Sequence, residues 1–293
     1  MNWHRGLKVK VRLNEPLKNR TTFKIGGKAR YFSEPRNIKE LSSLIARARD
    51  HKIPICILGA GSNLLISDKG LNALVVRLNA PFFKKISFED SRVQAGSSVM
   101  VSALLRKAAK RGLSGLEFLA GIPATVGGAL AMNSGAWCRS IGKIVEEVQV
   151  MDYNGRVKGL KKRNIAFSYR KSSLAKYIIL GASFRLEEKN KEVIGSVTKE
   201  YLRTRKEKQD YSYPNAGCVF RNPQGRSAGA LIDSCGLKGR RIGGACISDK
   251  HANFIVNKGS ASAEDVLRLM NLVKERVKNK FGIDLKAEVK IWK

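Results

Sequence analysis

The feature that most constrains this chain is a stretch without positive charge. Of its 293 residues, 56 are Lys or Arg and 24 are Asp or Glu, a formal net charge of +32. The cations recur along the whole length, yet none falls between Leu116 and Trp137. That window is built from small residues: Gly121-Ile122-Pro123-Ala124-Thr125-Val126-Gly127-Gly128-Ala129, then Asn133-Ser134-Gly135-Ala136. A surface loop of so basic a protein would carry lysines. Small residues instead permit close approach, either to neighbouring elements or to a large flat ligand. A second segment of this kind, Gly59-Ala60-Gly61-Ser62-Asn63-Leu64-Leu65, follows the short apolar run Ile55 to Leu58. Closely spaced glycines let backbone N–H groups converge on an anion, and Ser62 and Asn63 can add hydrogen bonds. This is not the dinucleotide fingerprint, because the third glycine of G-x-G-x-x-G is missing and no helical pattern follows. Either loop alone reads equally well as a tight turn or as close packing. Two in one domain point to a ligand.

Around these loops the hydrophobic pattern predicts alternating strands and helices. Residues 37–52 read as a helix with Leu41, Leu44, Ile45 and Ala48 on one face. Strands are expected at 55–58, 74–78 and 91–96, followed by a helix over 99–110 that ends at Gly112. Residues 145–152 and 178–186 read as further strands, and 192–208 as a charged helix. Beyond it come a turn at Tyr213-Pro214-Asn215-Ala216-Gly217, a short helix over 227–235 stopped by Gly236, and a strand over 254–257. Ser262 is placed to cap a long helix reaching Phe281, with Val266, Met270, Val273 and Val277 inward and Asp265 favouring its positive end. Residues 285–292 alternate as a last strand. A domain boundary is expected between residues 190 and 210.

Several function classes are disfavoured. The basic runs are short, such as Lys161–Arg163, and no basic tail, aromatic-interleaved patch or finger spacing is present, so no nucleic-acid partner is expected despite the charge. Such a field attracts small polyanions, nucleotides among them. No apolar run approaches the length of a membrane span, and the N-terminus has no secretory pattern, so the expected location is cytoplasmic. The five cysteines (Cys56, Cys138, Cys218, Cys235 and Cys246) form no CxxC pair, which leaves no expected metal site or disulfide framework.

The order of motifs resembles the UDP-N-acetylenolpyruvoylglucosamine reductase (MurB) family, whose cofactor domain is of the PCMH type found in the vanillyl-alcohol-oxidase superfamily. The matching stretches are Asn19-Arg20-Thr21-Thr22-Phe23-Lys24-Ile25-Gly26-Gly27, the Gly59 loop, and Gly115-Leu116-Glu117-Phe118 running into Gly121-Ile122-Pro123. They continue with Phe167-Ser168-Tyr169-Arg170, Ala216-Gly217-Cys218-Val219-Phe220-Arg221-Asn222-Pro223, Leu237-Lys238-Gly239 and Glu288-Val289. The short interval between Pro223 and Ala228 resembles the family's shorter subtype.

The resemblance implies an α+β fold: a two-lobed PCMH-type FAD-binding domain over 23–190, preceded by a segment 1–22 packed on it and followed by a smaller α/β substrate-binding domain over 191–293. It implies non-covalent FAD, since His4, His51 and His251 lie outside both loops. It implies NADPH as reductant, UDP-N-acetylglucosamine enolpyruvate as substrate, and a monomer. The FAD contacts implied are Gly59, Ala60, Gly61, Ser62, Asn63, Leu64, Gly121, Ile122, Pro123, Thr125, Gly127, Gly128, Asn133, Gly135 and Ala136. Arg170 and Glu288 are the implied stabilisers of the developing enol, and Cys218 stands at the proton-donor position, where serine is usual. A thiol, with an unperturbed pKa near 8.5, is a better acid than an alcohol. Tyr169, Lys208, Asn222 and Lys238 are the implied substrate or NADPH contacts, with Lys206 a further candidate. Asp210 stands where proline is common after Lys-Gln and has no role in this reading. The competing readings are another flavoprotein of the same superfamily, such as an oxidase, and a basic nucleic-acid-binding protein.

Overall fold

The computed structural model describes residues 3–293. By contacts the chain forms two units, each assembled from separated segments. The first comprises the N-terminal residues through Leu13, Tyr31–Ala60 and Ala73–Thr204; the second comprises Asn14–Arg30, Gly61–Asn72 and Arg205–Lys293. These units cut the chain differently from the contiguous stretches 1–22, 23–190 and 191–293. Glycines account for part of the interleaving. A Cβ on Gly61 would lie 2.3 Å from the Arg20 carbonyl oxygen, and one on Gly70 would lie 2.2 Å from that of Lys28. Only side-chain-free backbone lets 61–72 lie against 14–30.

In the first unit a five-stranded antiparallel sheet runs in the order Val157–Lys161, Val145–Met151, Ile178–Arg185, Arg92–Gly96, Ile86–Glu89. Its central strand, Ile178–Arg185, is buried at every position but the last, as its unbroken small and apolar sequence requires. Helices Val101–Lys110 and Val126–Ala131 bury Leu104, Leu105, Ala129 and Leu130 in one core with Val148, Val150 and Phe184. Each such aliphatic side chain contributes about 1.5–3 kcal/mol when removed from water. Helix Ile38–Asp50 starts where Asn37 accepts a hydrogen bond from the Glu40 amide. Its Leu41, Leu44, Ile45 and Ala48 share a core with Leu74 and Val76. Strand Leu71–Val76, which starts and ends earlier than expected, pairs in parallel with Ile55–Ile57.

The second unit holds a four-stranded antiparallel sheet ordered Asn215–Cys218, Phe254–Asn257, Ala245–Ile247, Arg241–Ile242. Helix Ala263–Phe281 opens on a reciprocal capping box between Ser262 and Asp265 and closes on Gly282 at φ +70°. The expected strand over 285–292 is shorter, Lys290–Trp292, and pairs in parallel with Leu64–Ile66. The segment before it changes partner: Lys286 O accepts from the Arg221 amide, and the Glu288 amide donates to Val219 O at 2.8 Å. Among the described residues no helix is long and apolar enough to cross a membrane.

Candidate flavin and substrate site

The two small-residue loops meet in the first unit. A methyl group built on Gly59 would sit 2.9 Å from Thr125 Oγ1, with Gly128 Cα 4.0 Å away. Thr125 caps helix Val126–Ala131 by accepting from the Gly128 amide at 3.2 Å. The Gly127 amide donates to Ser97 O at 2.8 Å, which fixes the loop from behind. Gly59, Ala60, Gly121, Ile122, Gly127 and Gly128 are half-buried and Pro123 is exposed. Backbone without bulk, close-set from two loops and partly open, suits a large planar cofactor, so these residues fit FAD. The remainder of the first loop, Gly61 to Leu64, belongs to the second unit, where Asn63 Nδ2 donates to Glu288 O and Asn63 O accepts from the Lys290 amide.

Asn133, Gly135 and Ala136 also shape a hairpin. Asn133, buried and at φ +44°, donates from Nδ2 to Ser168 O and accepts on Oδ1 from the Gly142 amide. Gly135 and Ala136 pair with Ser140 and Arg139 across a two-residue turn, Trp137-Cys138, in which both residues have positive φ. A Cβ on Gly135 would lie 2.0 Å from Arg139 O, so its glycine is required by the hairpin itself. The turn was invisible in the sequence because it lacks the usual Asn-Gly signal. Trp137 stacks on Tyr201 with ring centroids 4.0 Å apart.

Arg170 and Tyr169 form the turn of a second hairpin, Phe167–Ser168 with Lys171–Ser172. Arg170 is at φ +54°, a conformation that L residues rarely adopt. Its Nη1 donates to Gly135 O at 3.0 Å, and its guanidinium lies 5.1 Å from the Tyr169 ring centroid. The two hairpins are thus tied by Asn133 and Arg170.

In the second unit Cys218 ends strand Asn215–Cys218 and is half-buried. Glu288 lies on the adjoining segment, since its amide bonds to the carbonyl of Val219, the residue after Cys218. Asn222 Oδ1 accepts from the Ala228 amide at 3.0 Å, which ties it to the start of helix Ala228–Ser234. Lys238 Nζ lies 2.7 Å from Asp233. Lys208 is exposed in the last turn of helix Lys191–Lys208. A cavity of about 740 Å³ in the same unit is lined by Lys18, Lys24, Asp68, Tyr213 and Lys258 among others, and by none of these site residues. His251 accepts from the Asn253 amide on Nδ1, and burial holds its pKa below the ordinary value. Among the described residues no cluster could hold a metal ion.

Residues 29–161 match the family model of an FAD binding domain, and residues 209–292 match that of the C-terminal domain of UDP-N-acetylenolpyruvoylglucosamine reductase. Loops and cofactor domain together define an FAD-dependent oxidoreductase. The chain is 42% identical over 288 residues to the UDP-N-acetylenolpyruvoylglucosamine reductase of Moorella thermoacetica, covering 98% of this chain and 95% of that protein. It is 44% identical over 297 residues to that of Caldicellulosiruptor saccharolyticus, covering 99% and 95%. The crystal structure of MurB from Thermus caldophilus superposes with a TM-score of 0.84 at 38% identity, covering 98% of this chain and 99% of that one. The chain belongs to the UDP-N-acetylenolpyruvoylglucosamine reductase family.

Proposed function

We propose that this protein reduces UDP-N-acetylglucosamine enolpyruvate to UDP-N-acetylmuramate with NADPH, as a step in peptidoglycan precursor synthesis, and that it does so as a monomer in the cytoplasm. Membership of the reductase family over nearly the whole chain is the observation that carries the reading. Held by the loops of Gly59, Ala60, Gly121, Ile122, Gly127 and Gly128, FAD would supply hydride transfer between NADPH and the enolpyruvyl double bond. We assign the cofactor to residues 23–190 and the substrate to 191–293.

The residues' chemistry supports the following roles. Hydride arriving at the terminal methylene leaves negative charge on the carbon next to the carboxylate, delocalised as an enolate. Arg170 binds that carboxylate, for which a planar guanidinium is suited, and opposes the growing charge. The positive φ of Arg170, within a hairpin anchored by Asn133, supports a side chain held for a purpose rather than a solvated surface cation. Glu288, as the neutral acid, donates a hydrogen bond to the enol oxygen. The Cys218 thiol gives its proton to the carbon bearing the ether oxygen, and the thiolate is reprotonated from solvent. Lys208, Asn222 and Lys238 contact the diphosphate or NADPH.

The test is direct. Purified protein is yellow, and NADPH oxidation followed at 340 nm accelerates on adding UDP-N-acetylglucosamine enolpyruvate. Rapid oxygen consumption without that substrate would instead identify an oxidase, and colourless protein whose affinity for nucleic acid falls steeply with salt would remove the flavoprotein reading.

A further inference from the structure

Asp210 has no part in the reaction above, yet its side chain is only 8% exposed. Its Oδ2 accepts from Ser248 Oγ at 2.6 Å, and its Oδ1 accepts from the Ser212 amide at 2.9 Å. Ser248 is itself fixed: its amide donates to Phe254 O, and its Oγ accepts from the Lys250 and His251 amides. Burial pushes the Asp210 carboxyl up. The hydrogen bonds from Ser248 and Ser212 and the charge of Lys250 outweigh that and hold it below the usual carboxylate range.

From Asp210 the hydrogen bonds continue towards Cys218. The Asp210 carbonyl oxygen accepts from Asn215 Nδ2 at 3.0 Å, and the same amide nitrogen donates to Tyr213 O at 2.9 Å. Asn215 Oδ1 accepts from the Gly217 amide at 2.9 Å, and Thr22 Oγ1 donates to Asn215 O at 2.7 Å. The chain of bonds ends on an irregularity in the sheet. Asn215 pairs with Val256, but Cys218 pairs with Phe254, so two residues on one strand stand opposite one on its neighbour. An extra residue of this kind reverses the face to which the next side chain points. Gly217, at φ +75°, supplies the conformation the bulge needs. The aim of the Cys218 side chain therefore depends on a bulge that the Asn215 amide closes and Asp210 anchors.

We propose that Asp210 is a positioning residue for Cys218, acting through Asn215 to hold the bulge that aims the thiol. The proposal rests on the proton-donor reading of Cys218.

The test separates the half-reactions of the FAD-loaded enzyme by stopped flow, first flavin reduction by NADPH and then reoxidation by UDP-N-acetylglucosamine enolpyruvate. Asp210→Ala and Asn215→Ala are made in the wild type and in Cys218→Ala. Reduction is expected to stay within about twofold of wild type, while reoxidation slows about tenfold or more, the scale on which a displaced catalytic group costs rate. In the Cys218→Ala background neither change slows reoxidation further, because the effect passes through the thiol. Asp210→Asn, which keeps one acceptor oxygen, recovers part of the rate. Asn215→Asp keeps the oxygen facing Gly217 and loses the donor to Asp210, and it carries the test if the alanine variants do not fold. Independently of turnover, iodoacetamide labelling read by peptide mass spectrometry gives a changed rate at Cys218 and an unchanged rate at exposed Cys138. Wild-type reoxidation in the Asp210 and Asn215 variants overturns the proposal, as does undiminished slowing in the Cys218→Ala background. Wild-type reoxidation in Cys218→Ala alone removes the proton-donor reading instead, and the labelling rates then decide whether Asp210 still aims the thiol.

Discussion

The loops around Gly59 and Gly128 and the region around Cys218 are built on opposite principles. In the first, the recognition surface proposed for FAD is made by removing side chains, so that the backbone at Gly59 comes within reach of Thr125 and Gly128. In the second, the proposed chemistry lies in side chains, two of which are already held by protein partners: Asn222 by the Ala228 amide and Lys238 by Asp233. A cofactor that stays bound through many turnovers suits a preformed cradle of low polarity. A substrate that must bind, react and leave suits groups whose protein contacts it can exchange for its own.

The largest effect that follows is on the cradle. Gly59→Val forces bulk against Thr125 Oγ1, where even a methyl would sit at 2.9 Å. The expected protein is folded but retains little flavin, read from the ratio of absorbance at 450 and 280 nm, and its NADPH oxidation is lost. A yellow, fully active Gly59→Val protein would mean that the loop contact is packing alone. Next in size is Cys218→Ala. Loss of a general acid costs about 10²–10⁴-fold in rate, so reoxidation by the enolpyruvyl substrate falls by that order while flavin content and reduction by NADPH stay normal. Cys218→Ser retains most of the activity. Cradle and side-chain region are thus separable: one variant loses the colour, the other keeps it and loses turnover.

This contrast also explains what was legible in the sequence. Absence of positive charge over 116–137 is a compositional signal, and it located the second loop without reference to any relative. Helices with regular apolar spacing and capping residues, such as Ile38–Asp50 and Ala263–Phe281, were legible for the same reason, since all their determinants are local. The roles proposed for Arg170, Cys218 and Glu288 rest on family resemblance, because a single charged or thiol residue carries no local pattern. The bulge at Gly217 and the Trp137-Cys138 turn escaped both routes. The first depends on long-range bonds, such as that from Thr22 to Asn215 across 193 positions, and the second on two residues that seldom adopt positive φ. Asn133 and Gly135, which the resemblance implies as FAD contacts, also have local duties in the hairpin that the sequence did not show.

A smaller effect comes from Asp210. Its carboxyl is held below its unfolded value, so its contribution to stability is present above about pH 4, the ordinary aspartate range, and is lost as pH falls through the lower folded value. Asp210→Asn is expected to lower the melting temperature at pH 7 and to bring it closer to that of wild type in acid. A gap that widens on acidification would show that Asp210 is held in its protonated form.

The smallest effect tests the idea of exchangeable contacts. Lys238 and Asp233 are 2.7 Å apart, but their side chains are 36% and 50% exposed. A pair so wetted contributes at most about 1 kcal/mol, because water screens the charges and two flexible side chains must be ordered. Lys238→Ala should therefore barely move the melting temperature. If the ammonium leaves Asp233 to meet the diphosphate or NADPH, the same substitution raises the KM for that ligand and leaves kcat nearly unchanged, the signature of lost uniform binding. Asp233→Ala frees the lysine and lowers that KM, or leaves it alone. A melting temperature that collapses in Lys238→Ala with KM unchanged would make the pair a structural tie, and the division between a fixed cradle and exchangeable side chains would fail at this residue.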